Sequence, residues 1–384
     1  MSGEMNSDGY GDGTRVVRSG STPPIPGMPL HHGPVFAATF HLGDAEPGAD
    51  GADVYARYDN PTLRDFEFSL GGLDGGRSLA FASGMAAMTA AFYSVVSTGQ
   101  RLLIPADGYF TGRLLADAHL RRFGVQMASV ATADVEQRLR AGDFPGARLI
   151  LVETPSNPGL DVCDIAAVAE LAHRQGALLA VDNTTATPLG QRPLALGADM
   201  VLASDTKALS GHSDLLMGHV SVRDDELLAR IKGWRNHTGA VPGPFETWLA
   251  HRSIGTLDLR LARQAENAAA LADLLAGAPQ VTNVRWPWRT DDPSYPLASR
   301  QMLRPMGVVS ASFPSADAVR RLLAGSELLT AATSFGGLHT TVDRRAQFGG
   351  DSVAEGFVRI SCGCEDTIDL VRDVTSALRA VVGG

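Results

Sequence analysis

The apolar positions of this chain fall into blocks whose spacing changes along the sequence. Ala147–Glu153 (ARLILVE), Ala177–Asp182 (ALLAVD) and Met200–Ala203 (MVLA) are short, nearly unbroken apolar runs. Runs this short predict strands, and their lack of alternation predicts strands covered on both faces, as in a parallel sheet. Leu102–Pro105 and Val125–Val130 add two further strand candidates. Between them, Gly84–Val96, Leu114–Phe123, Asp134–Ala141 and Ile165–Gln175 carry helical patterns. From about Leu70 onward this alternation predicts an α/β unit with a mostly parallel central sheet.

A second pattern follows. Leu257–Ala276 reads as a long alanine-rich helix. Thr282–Trp286, Val308–Phe313 and Val358–Ser361 read as strands, with a helix at Ala316–Ala324. That is a smaller α+β unit. Gly239, Pro242, Gly243 and Pro244 cluster between the two patterns and place the boundary near 240. The expected organisation is an N-terminal arm over residues 1–57, a large domain over 58–243 and a smaller domain over 244–384. Residues 1–27, rich in Gly, Ser, Pro and Asp, are expected to bury little.

Composition narrows the function classes. Hydrophobic residues at 44% and charged residues at 20% describe a globular chain. A net charge of −9 argues against a nucleic-acid or anionic-membrane partner, both of which favour basic surfaces. Three cysteines, Cys163, Cys362 and Cys364, are too few for a disulfide framework. Cys362 and Cys364 flank one glycine without the partners of a zinc site, so no metal is expected. The apolar runs are far short of a membrane span, and no signal-peptide core opens the chain. A reducing cytoplasm is the expected location.

Candidate chemistry gathers where the predicted strands end, which is where open α/β sheets bind ligands. Asn157 follows the strand ending at Glu153, and Asp182 ends the next. Ser204 ends the third and is followed by Thr206 and Lys207, while Tyr109 lies just beyond Leu102–Pro105. Most lysines are solvated at surfaces. Lys207, however, sits between a buried strand and the glycine-rich stretch Gly211-His212-Ser213-Asp214. An amine in a dry pocket has a lowered pKa and attacks aldehydes. Asp182 is the type of carboxylate that pairs with a pyridinium nitrogen. Ser83-Gly84-Met85 opens a predicted helix, and a helix N-terminus offers free N–H groups to a phosphate, with Ser204 and Thr206 as further donors. The plain alternative for Ser83 is an ordinary N-cap.

Seven segments in order make the chain resemble the Cys/Met-metabolism enzymes that use pyridoxal 5'-phosphate (PLP), the family of cystathionine γ-lyase, methionine γ-lyase and cystathionine γ-synthase. They are Tyr55–Thr62, Ser83–Ala87, Glu153–Pro158, Val181–Thr184, Ser204–Lys207, Gly211–Asp214 and Arg359–Glu365. The resemblance implies a fold type I PLP-dependent transferase architecture. It implies Lys207 as the Schiff-base lysine and proton shuttle, Asp182 on the pyridine nitrogen with Thr184 nearby, and Tyr109 on the ring and in proton transfer. Ser83, Gly84, Met85, Ser204 and Thr206 would hold the phosphate. Tyr55 and Arg57 would reach the phosphate of a neighbouring subunit, making the arm an intersubunit element of a homo-oligomer, a dimer at least and a tetramer by family habit. Arg359, with Asn157 and Ser334, would clamp the substrate α-carboxylate.

Two positions depart from the family pattern. Thr111 stands where typical methionine γ-lyases carry a reactive cysteine, and His339 replaces a glutamate after Ser334-Phe335-Gly336-Gly337-Leu338. A carboxylate there favours a distal ammonium group, which cystathionine has and methionine lacks. The expected function is γ-elimination of a methionine- or cystathionine-type sulfur amino acid, giving 2-oxobutyrate, ammonia and a thiol. A γ-replacement transferase shares every motif and is the alternative. A non-catalytic PLP-binding protein is the remote third reading.

Overall fold

The structure is a computed structural model that describes residues 9–19, 25–42 and 53–382. Two sheets organise it. The first has seven strands: β1 (Arg77–Phe81), β2 (Arg101–Pro105), β3 (Gln126–Val130), β4 (Ala147–Glu153), β5 (Leu178–Asp182), β6 (Met200–Ala203) and β7 (Gly218–Val222). Their spatial order is β1-β7-β6-β5-β4-β2-β3. All neighbours are parallel except β7, which runs antiparallel to both β6 and β1. The expected strands between 102 and 203 are therefore present within a residue or two. β4 and β6 match their apolar runs residue for residue, because burial on both faces leaves little room for polar positions.

β1 and β7 carry no such run in the sequence. β7 is Gly-His-Val-Ser-Val, wholly buried, and its polar residues are satisfied by Asp74, Asp205 and Ser78. Ser221 Oγ donates to Asp74 Oδ2 at 2.5 Å and shares a hydrogen bond with Ser78 of β1.

Helices cover both faces. Helix Pro61–Asp74 starts with Asn60 Oδ1 accepting from the Thr62 N–H at 2.9 Å and stops at Gly75, whose φ of 77° is left-handed. Helix Gly84–Val95 starts with Ser83 Oγ accepting from the Ala86 N–H at 3.0 Å. One core joins this helix to the sheet through Phe81, Phe92, Leu102, Leu149, Leu202 and Val220.

The second sheet has β8 (Thr282–Arg285), β9 (Val308–Ser312), β10 (Thr330–Ala331), β11 (Thr341–Arg344) and β12 (Phe357–Ser361), in the order β10-β11-β12-β9-β8. Helices Leu257–Ala276, Ala316–Ala324 and Thr367–Val382 pack on it around Leu271, Val309, Leu322, Ile360 and Val374. Between the two sheets, helix Pro244–Ile254 packs Ala250 and Ile254 with Phe66 and Leu70 of helix Pro61–Asp74.

The N-terminal segment departs from expectation. Asp12–Arg18 is a helix with Val16 buried among Leu63, Phe66 and Leu261. Charge holds it down: Asp12 Oδ1 accepts from Arg192 at 2.5 Å, and Arg15 donates to the Gly72 carbonyl at 2.6 Å. Residues 9–11 and 25–27 of the segment expected to bury little are exposed, while 1–8 and 20–24 lie outside the described residues, as do 43–52 of the arm. Among the described residues no helix is long and apolar enough to cross a membrane.

Candidate active site

The parallel strands deliver their carboxyl ends to one rim. Register pairs Glu153 at the end of β4 with Asp182 at the end of β5, and Asp182 with Leu202 of β6. The turn after β6 then carries Ser204 to Lys207, closed by the Lys207 N–H donating to the Ser204 carbonyl at 3.1 Å. A cavity of about 260 Å³ opens at this rim. It is lined by Ser83, Gly84, Met85, Tyr109, Asn157, Asp182, Thr184, Ser204, Thr206, Lys207, Ser334 and Arg359. Twelve of the sixteen residues singled out in the sequence thus face one space.

Lys207 Nζ donates to Ser334 Oγ at 2.7 Å and lies 5.4 Å from the centre of the Phe335 ring. Burial, reinforced by the positive charges of Arg359 and Arg345, pushes its amine down to about 8. Ser334 is a non-glycine residue with φ of 79°, a strained conformation. That conformation lets its hydroxyl meet Lys207 while its carbonyl accepts from Arg359 Nη2 at 3.1 Å.

Asp182 is held from one side. Its Oδ1 accepts from the Thr184 N–H at 3.0 Å and from the Thr184 hydroxyl at 2.5 Å. Burial raises its pKa, opposed by the Thr184 bonds and by the nearby charges of His219 and Lys207. Its neighbour Glu153 is fully buried and is raised well above the ordinary range, by burial and then by repulsion from Asp182. Two adjacent carboxylates in so dry a place oppose each other's charge, and of the two Glu153 is pushed furthest toward its protonated form. Its Oε2 accepts from the Tyr109 N–H at 2.6 Å and so fixes the start of helix Phe110–Leu115.

The N-terminus of helix Gly84–Val95 meets the Ser204 turn at glycine. A Cβ on Gly84 would stand 2.7 Å from Ser204 Cβ, and one on Gly218 would stand 2.5 Å from Gly84 Cα. Only glycine permits both approaches. The Thr206 hydroxyl is occupied with Met217, donating to its carbonyl at 3.2 Å and accepting from its N–H at 3.0 Å.

The second sheet supplies the opposite wall. Arg359, on β12, is 3% exposed and donates from Nη1 to Asn157 Oδ1 at 2.5 Å and from Nη2 to Asp343 Oδ2 at 2.8 Å. Burial, with Arg345 adding repulsion, pushes its guanidinium down to about 10.

Four expected residues stand elsewhere. Tyr55 and Arg57 are not among the residues lining this chain's cavity. Arg57 donates to the Asn236 carbonyl at 2.6 Å and lies 4.6 Å from the centre of the Tyr58 ring. Thr111, in helix Phe110–Leu115, and the exposed His339 are not lining residues either.

Sequence reasoning missed Glu153 as a partner of Asp182, Arg345 on the cavity wall, and a buried charged trio beneath the floor. In that trio His219 is fully buried between two carboxylates, with Nδ1 2.6 Å from Asp205 Oδ1 and Nε2 2.9 Å from Asp74 Oδ2. Both ring nitrogens face acceptors, which calls for an imidazolium. Burial alone would lower its pKa, but the two carboxylates outweigh it and raise it to about 10. Asp205 sits in the turn between Ser204 and Lys207, a signal visible in Ser204-Asp205-Thr206-Lys207. Its distant partners Asp74 and His219 carry no local signal.

Comparison with known proteins agrees with this geometry. Residues 14–379 match the model of the Cys/Met metabolism PLP-dependent enzymes. A Streptomyces coelicolor protein with the provisional name cystathionine gamma-lyase is 47% identical, over 98% of this chain and 95% of its own. The L-methionine gamma-lyase of Pseudomonas putida is 38% identical, over 96% and 98%. Among solved structures, a cystathionine gamma synthase from Xanthomonas oryzae in complex with cystathionine superposes with a TM-score of 0.92, at 31% identity, covering 97% of this chain and 99% of that one. The cavity suits the family's cofactor: Lys207 points an amine of depressed pKa into it, Asp182 borders it, and glycine clears the space beside the Ser83–Met85 helix end. The chain belongs to the Cys/Met-metabolism family of PLP-dependent enzymes.

Proposed function

We propose that this enzyme is a carbon–sulfur lyase that performs γ-elimination on a sulfur amino acid of the cystathionine or methionine type. The products are 2-oxobutyrate, ammonia and a thiol. The observation that carries the reading is Lys207, whose amine is set by Ser334 in a cavity that Asp182 and Arg359 also line.

Bound PLP supplies an electron sink conjugated to the substrate Cα. Around it, each residue has a role that its chemistry supports. Arg359 receives the substrate α-carboxylate, with Asn157 and Ser334 fixing its plane. Lys207 Nζ, its pKa lowered to about 8, removes the Cα proton; a Cβ proton then leaves as well, and the electron pair it leaves behind expels the γ-sulfur. Asp182, turned by Thr184, pairs with the pyridine nitrogen. The Tyr109 hydroxyl gives its proton to the departing sulfur. Ser83, Gly84, Met85 and Ser204 would hold the phosphate, and Thr206 would join them only by turning its hydroxyl from the Met217 carbonyl.

Tyr55 and Arg57, lying outside their own cavity, serve the phosphate of a second copy in this reading. The working unit is then a homodimer or a pair of dimers, in a reducing cytoplasm. Lys207→Ala tests the reading. Its expected outcome is loss of the visible cofactor absorbance and of 2-oxobutyrate release, with the fold retained. Retained turnover would overturn it.

The γ-replacement reading is favoured by the similarity to cystathionine gamma synthases, including the close superposition on the Xanthomonas oryzae enzyme. It shares the cavity and differs only in whether a second nucleophile intercepts the intermediate before hydrolysis.

A further inference from the structure

The cavity wall carries a second guanidinium that the chemistry above does not use. Arg345 lines the cavity together with Arg359. One carboxylate oxygen serves both: Asp343 Oδ2 accepts from Arg359 Nη2 at 2.8 Å and from Arg345 Nη1 at 3.0 Å. Asp351 takes the other side of Arg345, accepting from Nε at 2.8 Å with the same oxygen 2.6 Å from Nη2. All four side chains are at most 4% exposed.

Donor counting shows what is at stake. A guanidinium has five N–H donors. Arg359 commits three, to Asn157, to the Ser334 carbonyl and to Asp343. Its buried Nε has no partner among the described residues. Asp343 is therefore a resident competitor for the group that must receive a carboxylate. It is held there: β11 pairs with β12 and places Asp343 directly opposite Arg359, and its Oδ2 also accepts from the Thr333 hydroxyl at 3.1 Å.

Charge counting gives Arg345 its role. Two guanidiniums and two carboxylates cancel, so an incoming carboxylate meets a balanced cluster. Without Arg345, Asp343 and Asp351 would face Arg359 alone, and the cluster would already be negative by one charge. In a dry site that opposition is strong.

We propose that Arg345 is a positioning residue for substrate: by taking up the charge of Asp343, it keeps the Arg359 guanidinium open to the α-carboxylate of the incoming amino acid. The proposal rests on the reading that Arg359 binds that carboxylate.

The test uses the PLP-loaded enzyme and two amines that undergo no elimination, glycine and methylamine, each titrated against the visible cofactor band. In Arg345→Met the half-saturating glycine concentration is expected to rise about ten-fold or more, while that of methylamine, which lacks a carboxylate, stays unchanged. Arg345→Met combined with Asp343→Asn should recover most of the glycine response. Asp343→Asn alone, which does not require removing Arg345, should bind glycine at least as tightly as the unaltered enzyme. Unchanged glycine binding in Arg345→Met would overturn the proposal. So would equal weakening of both amines, a double variant no better than the single, or weaker glycine binding in Asp343→Asn. Unchanged glycine binding in Arg359→Ala would refute the carboxylate reading itself, and the proposal with it.

Discussion

Replacing His219 with glutamine removes the positive member of the buried trio and leaves Asp74 and Asp205 with a neutral partner. Both carboxylates are fully buried, and Asp74 Oδ1 and Asp205 Oδ2 already lack partners among the described residues. Breaking a buried ion pair from one side costs about 3–5 kcal/mol. At roughly 2–4 °C per kcal/mol, the unfolding midpoint should fall by roughly 10 °C. The pH dependence identifies the cause. His219 is raised to about 10 in the folded chain, against about 6.5 when unfolded. A raised histidine contributes stability that is fully present below pH ~6.5 and is lost as pH climbs through about 10. The gap between the unaltered enzyme and His219→Gln should therefore be widest near neutrality and narrow toward pH 10. Thermal unfolding followed by circular dichroism from pH 5 to 10 measures this. A gap that stays constant between pH 6.5 and 10, or no gap at neutral pH, would refute the buried imidazolium.

Other outcomes follow from the same structure. The rate at which cofactor-free enzyme takes up PLP should rise with pH through a midpoint of about 8, because the neutral Lys207 amine is the reacting form; a midpoint near 10.5 would show an unperturbed lysine. Gly84→Ala should weaken cofactor retention, since its Cβ would stand 2.7 Å from Ser204 Cβ; unchanged PLP release by dialysis would place the phosphate elsewhere. Tyr55→Phe and Arg57→Ala should each speed PLP release. Mixing Arg57→Ala with Lys207→Ala subunits should restore some activity if the arm serves a second copy, and no recovery would argue for cavities complete within one chain.

The fold was legible wherever burial on two faces wrote itself as an apolar run. β4 and β6 coincide with their expected limits for that reason, and helix Leu257–Ala276 does so through its alanine-rich pattern with one buried face. β7 was not legible, because His219 and Ser221 are buried as polar residues satisfied by Asp74 and Asp205. A pattern based on hydrophobicity has no way to register such mutual satisfaction. β11 hides similarly, since Asp343 is buried against two arginines. The helix Asp12–Arg18 is held by Arg192 and by the Gly72 carbonyl, both contacts with distant sequence. In the cavity, Lys207, Asp182, Asn157 and Tyr109 were legible because each follows or ends a recognisable strand. Glu153 ended its strand just as visibly, but its raised pKa follows from full burial and then from facing Asp182 across the sheet, which only the structure reveals. Arg345 had no signal, because its place beside Arg359 depends on how β11 pairs with β12.

The most direct test of γ-elimination is product release from the PLP-loaded enzyme, with L-cystathionine and L-methionine supplied side by side. 2-Oxobutyrate should form from at least one of them without any added nucleophile, and Lys207→Ala should form none. Release from neither, together with cystathionine formation from an activated homoserine and cysteine, would contradict the lyase assignment and establish replacement instead.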